Sequence, residues 1–385
     1  MPVEFAAYVV QKTSWLYTIS DAFNTLRTVY TGLAIGITYL LYIFFQGSKN
    51  KYEADMHGKV ILMTGGTAGI GAAVASDLAG RGAQLILLVR SVSDGWTQDY
   101  VTQLREESNN ELIYAEECDL EDLSSVRKFA TKWIDNTPAR RLDQVILCAG
   151  VAQPMYAPRR TTGDGVEIHF GLNYLANYSL LNILSPALRA QPSERDVRVI
   201  VATCTTYILG ALDMSDPEFI RRGYPSSKPW QAFGASKIAL MCMVKQLQHS
   251  IDQFQRPDKL PSRVKCLLVD PGLARTQSFR RFVSFGTLLG LFLYLLTYPV
   301  WFVLVKTAHG AAQSVLFASM APSADIDEGG VRGGEIYQEC MVKQPRRSEI
   351  ADEGFRKKLW ETSGKLVKEV EVRSALARKA ADRQT

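Results

Sequence analysis

KVILMTGGTAGIG, residues 59–71, decides the fold of this chain. Its apolar run from Val60 to Met63 predicts a buried strand, and the alanine-rich residues after Gly71 predict a helix. Between them, glycines let the backbone approach a pyrophosphate closely, while the free N–H groups and the dipole of a helix N-terminus favour its negative charge. The stretch therefore predicts a phosphate-binding turn between a strand and a helix.

The composition is that of a globular protein. The 385 residues are 47% hydrophobic and 22% charged, and the net charge of +5 is mild. Such a charge suits an anionic cofactor or a membrane surface and gives no support to nucleic-acid binding. The six cysteines are scattered without a C-x-x-C pair, which predicts free thiols, a reducing compartment and no metal site.

An uncharged run near the N-terminus, residues 29–45, is at the short limit for crossing a bilayer. We interpret it as a membrane anchor. A cleaved signal peptide fits less well, because the run starts late and polar residues follow it, and a buried core helix is the remaining alternative. Lys49 and Lys51 after the run place its C-terminal flank in the cytosol by the positive-inside tendency.

From Lys59 onward, predicted strands alternate with predicted helices. This alternation predicts an α/β fold, a Rossmann-type doubly wound parallel sheet with right-handed crossovers. About seven strands are expected, at 60–63, 84–89, 112–115, 144–148, 197–202, 264–269 and 334–338. Helices are expected at 97–107, 123–136, 165–188 and 230–251.

A second uncharged run, residues 282–305, interrupts this pattern after the sixth strand. A single crossing of the membrane would separate the seventh strand from its sheet, so we interpret the run as a membrane-dipping or interfacial lid, with a buried apolar lid as the alternative. The predicted organisation is an anchor-bearing segment 1–52, a dinucleotide-binding catalytic domain 53–345 that includes this lid, and a charged C-terminal helix or tail 346–385.

Several motifs in order resemble the short-chain dehydrogenase/reductase family, nearest to its retinol-dehydrogenase-like, membrane-associated branch. They are the Thr64 to Gly71 turn, Asp119 after the third strand, the helix around Asn173, and the Pro271-Gly272 to Thr276 segment. The resemblance implies a set of cofactor contacts. They are Thr64, Gly65, Gly69, Ile70, Gly71, Arg90, Asp119, Leu120, Ala149, Gly150, Lys237, Pro271, Gly272 and Thr276.

The end of the second strand indicates which dinucleotide is bound. An acidic residue there would accept hydrogen bonds from the ribose hydroxyls of NAD, whereas Arg90 can pair with a 2′-phosphate. We therefore expect NADP(H). Asp119 and Leu120 match the family's contact with adenine, and an exposed loop aspartate is the alternative.

The proton-transfer centre departs from the family pattern, which uses Tyr-x-x-x-Lys on the helix after the fifth strand. Phe233 to Lys237 has the helical context but carries phenylalanine in place of tyrosine. Tyr224 to Lys228 has the spacing, but Pro225 and Pro229 disfavour the helical turn that would stack the pair on one face. We assign the family positions to Phe233 and Lys237.

The family's catalytic serine falls on Cys204, with Thr205 beside it. A thiol is a weaker hydrogen-bond donor than a hydroxyl. The resemblance gives Asn173 the role of holding a water in the proton relay. Tyr224, Tyr207, Thr205 or a water held by Asn173 and Lys237 remain the alternative proton donors.

Two functions follow from these residues. The first is a membrane-associated, NADP-dependent oxidoreductase that acts on a hydrophobic alcohol or carbonyl such as a lipid, sterol or retinoid. The second is a catalytically impaired NADP-binding protein with a structural or sensing role at a membrane or lipid droplet. For both we expect the endoplasmic reticulum membrane or a lipid droplet, with the catalytic domain facing the cytosol, lipid contact, no nucleic acid, and a possible homodimer.

Overall fold

The computed structural model describes residues 2–138, 140–323 and 330–382. Its centre is one sheet of eight strands in the order β3-β2-β1-β4-β5-β6-β7-β8. All neighbouring pairs are parallel except the last, in which β7 and β8 form an antiparallel hairpin. The strands are β1 (Val60–Thr64), β2 (Gln84–Val89), β3 (Ile113–Glu117), β4 (Gln144–Leu147), β5 (Val197–Ala202), β6 (Val264–Asp270), β7 (Ile336–Gln338) and β8 (Met341–Lys343).

Helices connect the strands and cover both faces of the sheet. They are α1 (Pro2–Gln46), α2 (Gly69–Gly80), α3 (Gly95–Ser108), α4 (Leu123–Ile134), α5 (Ala176–Arg189), α6 (Trp230–Asp252), α7 (Gln277–Val283), α8 (Leu288–Leu296), α9 (Tyr298–Leu304), α10 (Ala308–Met320), α11 (Ser348–Ala351) and α12 (Glu353–Asp382). A π-helical turn, His169–Leu175, precedes α5, and a short 3₁₀ turn, Thr205–Leu209, follows β5.

The strands are buried on both faces, as continuous apolar runs in a parallel sheet predict. In β1 every residue is buried, and successive side chains enter opposite layers. Leu62 joins the core under α4, α5 and α6, whereas Ile61 and Met63 join the core under α2, α3 and α10. The doubly wound fold is therefore confirmed.

The strand order reverses between the parallel strands β1 and β4, because β2 and β3 follow β1 toward one edge of the sheet, whereas β5 to β8 follow β4 toward the other. In doubly wound sheets, ligands bind in the crevice beyond the carboxyl ends of the strands at such a reversal. Thr64 and Leu147 are the last residues of these two strands and pair with each other. The glycine turn after β1 therefore lies at the position where the fold itself places a binding site.

Three details differ from the sequence expectation. The sheet has an eighth strand, because Glu339 and Cys340 make a two-residue turn that pairs β8 with β7. The helix expected from residue 165 begins at His169, and its first turns are π-helical. The third strand begins one residue later and ends two residues later than expected, at Ile113 and Glu117.

The two uncharged runs lie side by side on the surface. Residues 29–45 belong to the longer helix α1, in which Asn24–Gln46 is long and apolar enough to cross a membrane and is not buried. Residues 282–305 form α8, α9 and the end of α7, and α7 and α8 meet at an angle of 107°. Tyr42 of α1 stacks on Phe302 of α9, with ring centroids 5.3 Å apart.

The charged tail forms α12, which packs one face on the domain. Leu359, Val367 and Val370 are buried against the layer of α4, α5 and α6. Ser363 and Tyr174 share a buried hydrogen bond of 2.6 Å between their hydroxyls. The tail is therefore a helix that packs an apolar face on the domain, although Val372 and Leu376 near its end are exposed.

Candidate active site

The turn after β1 leaves space that side chains would fill. Gly65 has a φ of +68°, and a Cβ added to it would lie 2.6 Å from the backbone nitrogen of Ala149. A Cβ on Gly71 would overlap the carbonyl oxygen of Gly65. Glycine is thus required at both positions, and the backbone stays open to a phosphate group.

The N-terminus of α2 has free hydrogen-bond donors. Its capping residue is Ala68, which offers no side-chain acceptor, and its first turn carries no acidic residue. The unpaired N–H groups and the positive end of the helix dipole are therefore available to an anion. Beside them, Thr64 Oγ1 accepts a hydrogen bond from the Ala149 N–H at 3.3 Å, which joins the turn to the loop after β4.

Asn173 holds that loop through a two-way hydrogen bond. Its Oδ1 accepts from the Val151 N–H (2.7 Å), and its Nδ2 donates to the Val151 carbonyl (3.0 Å). The same Nδ2 lies 3.2 Å from Ser236 Oγ, one residue before Lys237. Asn173 is fully buried in the π-helical turn, a local distortion often found at functional sites.

Lys237 lies at the centre of the predicted catalytic residues. Its Nζ donates to the Ala202 carbonyl at 3.1 Å and lies 5.6 Å from the centroid of the Phe233 ring. Burial lowers the pKa of Lys237, an effect that the Cys204 and Cys148 thiols and the Asp270 carboxylate oppose. One helical turn separates Phe233 from Lys237 on α6, so the structure brings this pair together as the spacing predicts.

The residues after β5 supply further polar groups. Cys204 Sγ lies 3.2 Å from Thr206 Oγ1, and Thr205 donates a short hydrogen bond to Asp270 at the end of β6. The other carboxylate oxygen of Asp270 accepts from the Gly272 N–H at 2.9 Å. All six cysteines carry free thiols, as predicted, and burial raises the pKa of Cys148 to about 12.

Tyr224 lies in the loop before α6, which begins only at Trp230. Its hydroxyl donates to the Gln153 side chain at 3.1 Å, and burial together with the Glu167 charge raises the pKa of the phenol. Tyr207 is directed elsewhere, since its hydroxyl accepts from the backbone N–H of Arg346 at 3.0 Å. Of these two tyrosines, only Tyr224 is linked to the loop that Asn173 holds.

Arg90, at the end of β2, pairs with two carboxylates. Its guanidinium lies 3.1 Å from Glu121 and 3.7 Å from Asp119, and its side chain is 69% exposed. Asp119 also accepts the Glu121 N–H, and Leu120 packs partly against the core. Arg90 is therefore accessible at the outer edge of the crevice, with an acidic partner that a bound phosphate would have to displace.

The segment after β6 reaches the glycine turn. Thr276 caps α7 by accepting the Phe279 N–H at 3.3 Å, and a Cβ on Gly69 would lie 3.2 Å from its methyl group. Pro271 is buried, and Gly272 has a φ of +76°. The loop 271–276 and the turn 64–71 thus meet across the mouth of the crevice.

A row of buried, hydrogen-bonded polar residues beside Phe233 was not predicted from the sequence. Glu167 and His169 are both buried, and their side chains lie 2.7 Å apart. Because His169 Nε2 accepts the Gln153 N–H (3.1 Å), its hydrogen lies on Nδ1 and is donated to Glu167. Their spacing in the sequence, a histidine two residues after a glutamate within an otherwise apolar stretch, was the available signal.

The sheet, the glycine turn and the open helix N-terminus are together typical of a dinucleotide-binding fold. Residues 59–208 match the family model described as short chain dehydrogenase. Over 89% of its length the chain is 42% identical to an uncharacterized oxidoreductase of Schizosaccharomyces pombe, of which it covers 90%. The chain belongs to the short-chain dehydrogenase/reductase family.

Relatives with named activities are more distant. Retinol dehydrogenase 13 of Homo sapiens is 30% identical, with 87% of this chain and 92% of that protein covered. Polyprenol dehydrogenase of Homo sapiens is 29% identical, with 84% and 90% covered. A short chain dehydrogenase of Shigella flexneri, solved with NADP, shares the fold at a TM-score of 0.52 and 20% identity, over 74% of this chain and 99% of that one.

Proposed function

We propose that the chain is a membrane-associated, NADP-dependent oxidoreductase that interconverts a hydrophobic alcohol and its carbonyl. The single observation that supports this most is the crevice itself, whose intact phosphate turn adjoins Lys237 and Asn173 and lies next to an exposed apolar segment. Retinoids and polyprenols, the substrates in the names of two relatives, belong to the substrate class that such a segment suits.

The residues present fit a bound NADP(H). Gly65 and Gly71 leave room for the pyrophosphate, the first turn of α2 supplies N–H donors, and Arg90 is accessible for a 2′-phosphate. When bound, the nicotinamide supplies or accepts the hydride. Pro271 to Thr276 would hold the carboxamide, in keeping with the family resemblance.

The chain's own residues have distinct tasks in this proposal. Lys237 would bind the nicotinamide ribose, and Asn173 keeps the loop from Gly150 to Val151 in place beside it. Phe233 has no proton to exchange and would only shape the pocket. The hydroxyl of Tyr224, which donates a hydrogen bond to Gln153, is the donor that we favour in the natural chain. It lies in the loop before α6, and its raised pKa makes it a weaker acid than a tyrosine one turn before Lys237 would be.

The apolar surface motivates the membrane part of the proposal. Leu288, Leu289, Phe292 and Leu296 are exposed on α8, and α9 continues the surface to Tyr42 of the anchor helix. An isolated patch of this kind in water is costly, whereas a bilayer would cover it. A substrate dissolved in lipid would then reach the crevice without crossing water. We propose the endoplasmic reticulum or a lipid droplet, with the domain in the cytosol, since six free thiols suit a reducing compartment.

Deuterium transfer tests this function. The full chain in phosphatidylcholine vesicles would be incubated with NADPH deuterated at one face of C4 and with retinal, a polyprenal or a sterol ketone. We expect deuterium in one alcohol product, with transfer from one face only. Binding of NADPH without transfer to any of these carbonyls would contradict the oxidoreductase proposal.

Replacing Arg90 with aspartate should shift the preference from NADP(H) to NAD(H). The new carboxylate would join Asp119 and Glu121, repel a 2′-phosphate and accept the ribose hydroxyls of NAD. We expect the ratio of NADPH to NADH dissociation constants to rise by about tenfold or more, as for the loss of a charge-assisted contact. Arg263→Asp, an exposed charge reversal just before β6, is the control. An unchanged ratio would remove Arg90 from this role.

A second function is favoured by Phe233 and Cys204. Both positions lack the hydroxyl that the family uses, although the cofactor turn is complete. We therefore propose, as the alternative, a catalytically impaired NADP-binding protein that acts structurally or as a sensor at a membrane or lipid droplet. The deuterium experiment separates the two, since only the oxidoreductase transfers the label.

A further inference from the structure

The turn between β7 and β8 has an unusual backbone. Glu339 and Cys340 have φ values of +54° and +58°, in the left-handed region that hairpins of this kind usually fill with Asn, Asp or Gly. Holding two other residues there costs free energy, and such strain is often found where a side chain has a role. The strained turn directs the Glu339 carboxylate away from its own hairpin.

That carboxylate joins two distant parts of the chain. One oxygen accepts the backbone N–H of Ser48 at 2.7 Å, immediately after the anchor helix, and the other pairs with Lys306 Nζ. The Gln46 side chain accepts the Thr307 N–H at 3.1 Å beside this ion pair. The end of the membrane helix is thus attached to the start of α10.

Lys306 continues the connection to the cofactor loop. It is 7% exposed, it forms a parallel bridge with Ala274, and its carbonyl accepts the Arg275 N–H at 2.8 Å. Its Nζ covers Gly272, where an added Cβ would lie 3.4 Å away. Gly272 in turn donates to Asp270, which faces Thr205 and Lys237.

We propose that Lys306 and Glu339 are positioning residues that couple the end of the membrane anchor to the loop 271–276, so that the anchor helps to hold the nicotinamide half of the cofactor. This rests on the proposed cofactor site. Because coupling between two sites is reciprocal, a bound dinucleotide would also stabilise the position of the anchor helix against the domain.

Gly47 allows a test from the membrane side. It has a φ of +73°, and a Cβ there would overlap the Glu339 carboxylate and lie 2.6 Å from Lys306 Nζ. Gly47→Ala therefore displaces the ion pair without touching the cofactor loop. Gly58→Ala is a matched control, because Gly58 has a φ of +70° and nothing within 4 Å of an added Cβ.

Dissociation constants would be measured for NADPH and for 2′,5′-ADP, which occupies only the adenine half. We expect Gly47→Ala and Glu339→Gln to weaken the binding of NADPH by about tenfold, which is within the usual range of coupling between sites. The dissociation constant of 2′,5′-ADP should change by no more than about twofold, whereas general unfolding would weaken the binding of both ligands. Gly58→Ala should leave both constants unchanged.

Three other results have separate meanings. The proposed coupling is overturned if Gly47→Ala and Glu339→Gln both leave the dissociation constant of NADPH unchanged. Equal weakening of both ligands also overturns it, because the defect would then be general. A wild-type chain that binds neither ligand overturns the proposed cofactor site itself, which is a different failure.

Discussion

Phe233→Tyr should raise NADPH-dependent reduction of a lipid aldehyde by about 10²–10⁴-fold in kcat, the usual contribution of a positioned acid. The Phe233 ring lies one helical turn before Lys237, whose Nζ is 5.6 Å from its centroid. Its edge also meets the His169 ring, with centroids 5.9 Å apart. A hydroxyl added at this half-buried position would place a proton donor beside the amine that normally assists it.

Two further variants identify the donor in the natural chain. Phe233→Leu removes the ring without adding a hydroxyl, so its kcat should differ from that of the wild type by no more than a few-fold. Tyr224→Phe should lower any wild-type rate, since Tyr224 is the hydroxyl that Gln153 holds nearby. The wild-type chain could instead have a robust rate that is unchanged in Phe233→Tyr and abolished in Tyr224→Phe. That result would show that Phe233 does not occupy the tyrosine position.

Gly71→Ala should weaken NADPH binding by about 10- to 100-fold. The added Cβ would overlap the Gly65 carbonyl oxygen, and it would lie 3.3 Å from Cys148 Cβ, so the turn cannot keep its shape. Overpacking typically costs about 1–3 kcal/mol, and 1.4 kcal/mol corresponds to a tenfold change in affinity. Binding would be followed through NADPH fluorescence in the full chain.

Gly80→Ala is the matched control for this variant. Gly80 lies in the same helix, and an added Cβ there meets nothing within 4 Å. Alanine also favours the helix over glycine. We therefore expect unchanged NADPH affinity and a slightly higher melting temperature. Equal affinity of Gly71→Ala and wild type would show that the turn does not contact the pyrophosphate.

The fold was largely predictable because its signals are local. The apolar run at Val60 and the glycines that follow it define a strand, a turn and a helix within 20 residues or so. The resemblance to the short-chain dehydrogenase/reductase family gave Lys237 and Asn173, which the structure brings within reach of each other through Ser236. Those two residues were predictable because the family motifs that carry them are local stretches of sequence.

The remaining features depend on contacts between distant parts of the chain. The strand β8 is only three residues long, and its turn uses Glu339 and Cys340 in place of the usual turn residues. The link from Ser48 to Glu339 spans 291 positions. The buried pair of Glu167 and His169 is linked to Tyr224 only through Gln153, and these last two residues come from other loops. No local pattern contains these pairings.

We propose above all that the chain binds NADP(H) in the crevice at the carboxyl ends of β1 and β4. The most direct measurement is a calorimetric titration of the full chain in lipid nanodiscs with NADPH, and with NADH in parallel. We expect saturable binding of NADPH at one site per chain, tighter than that of NADH. A folded chain that binds neither dinucleotide, or that prefers NADH, would contradict it.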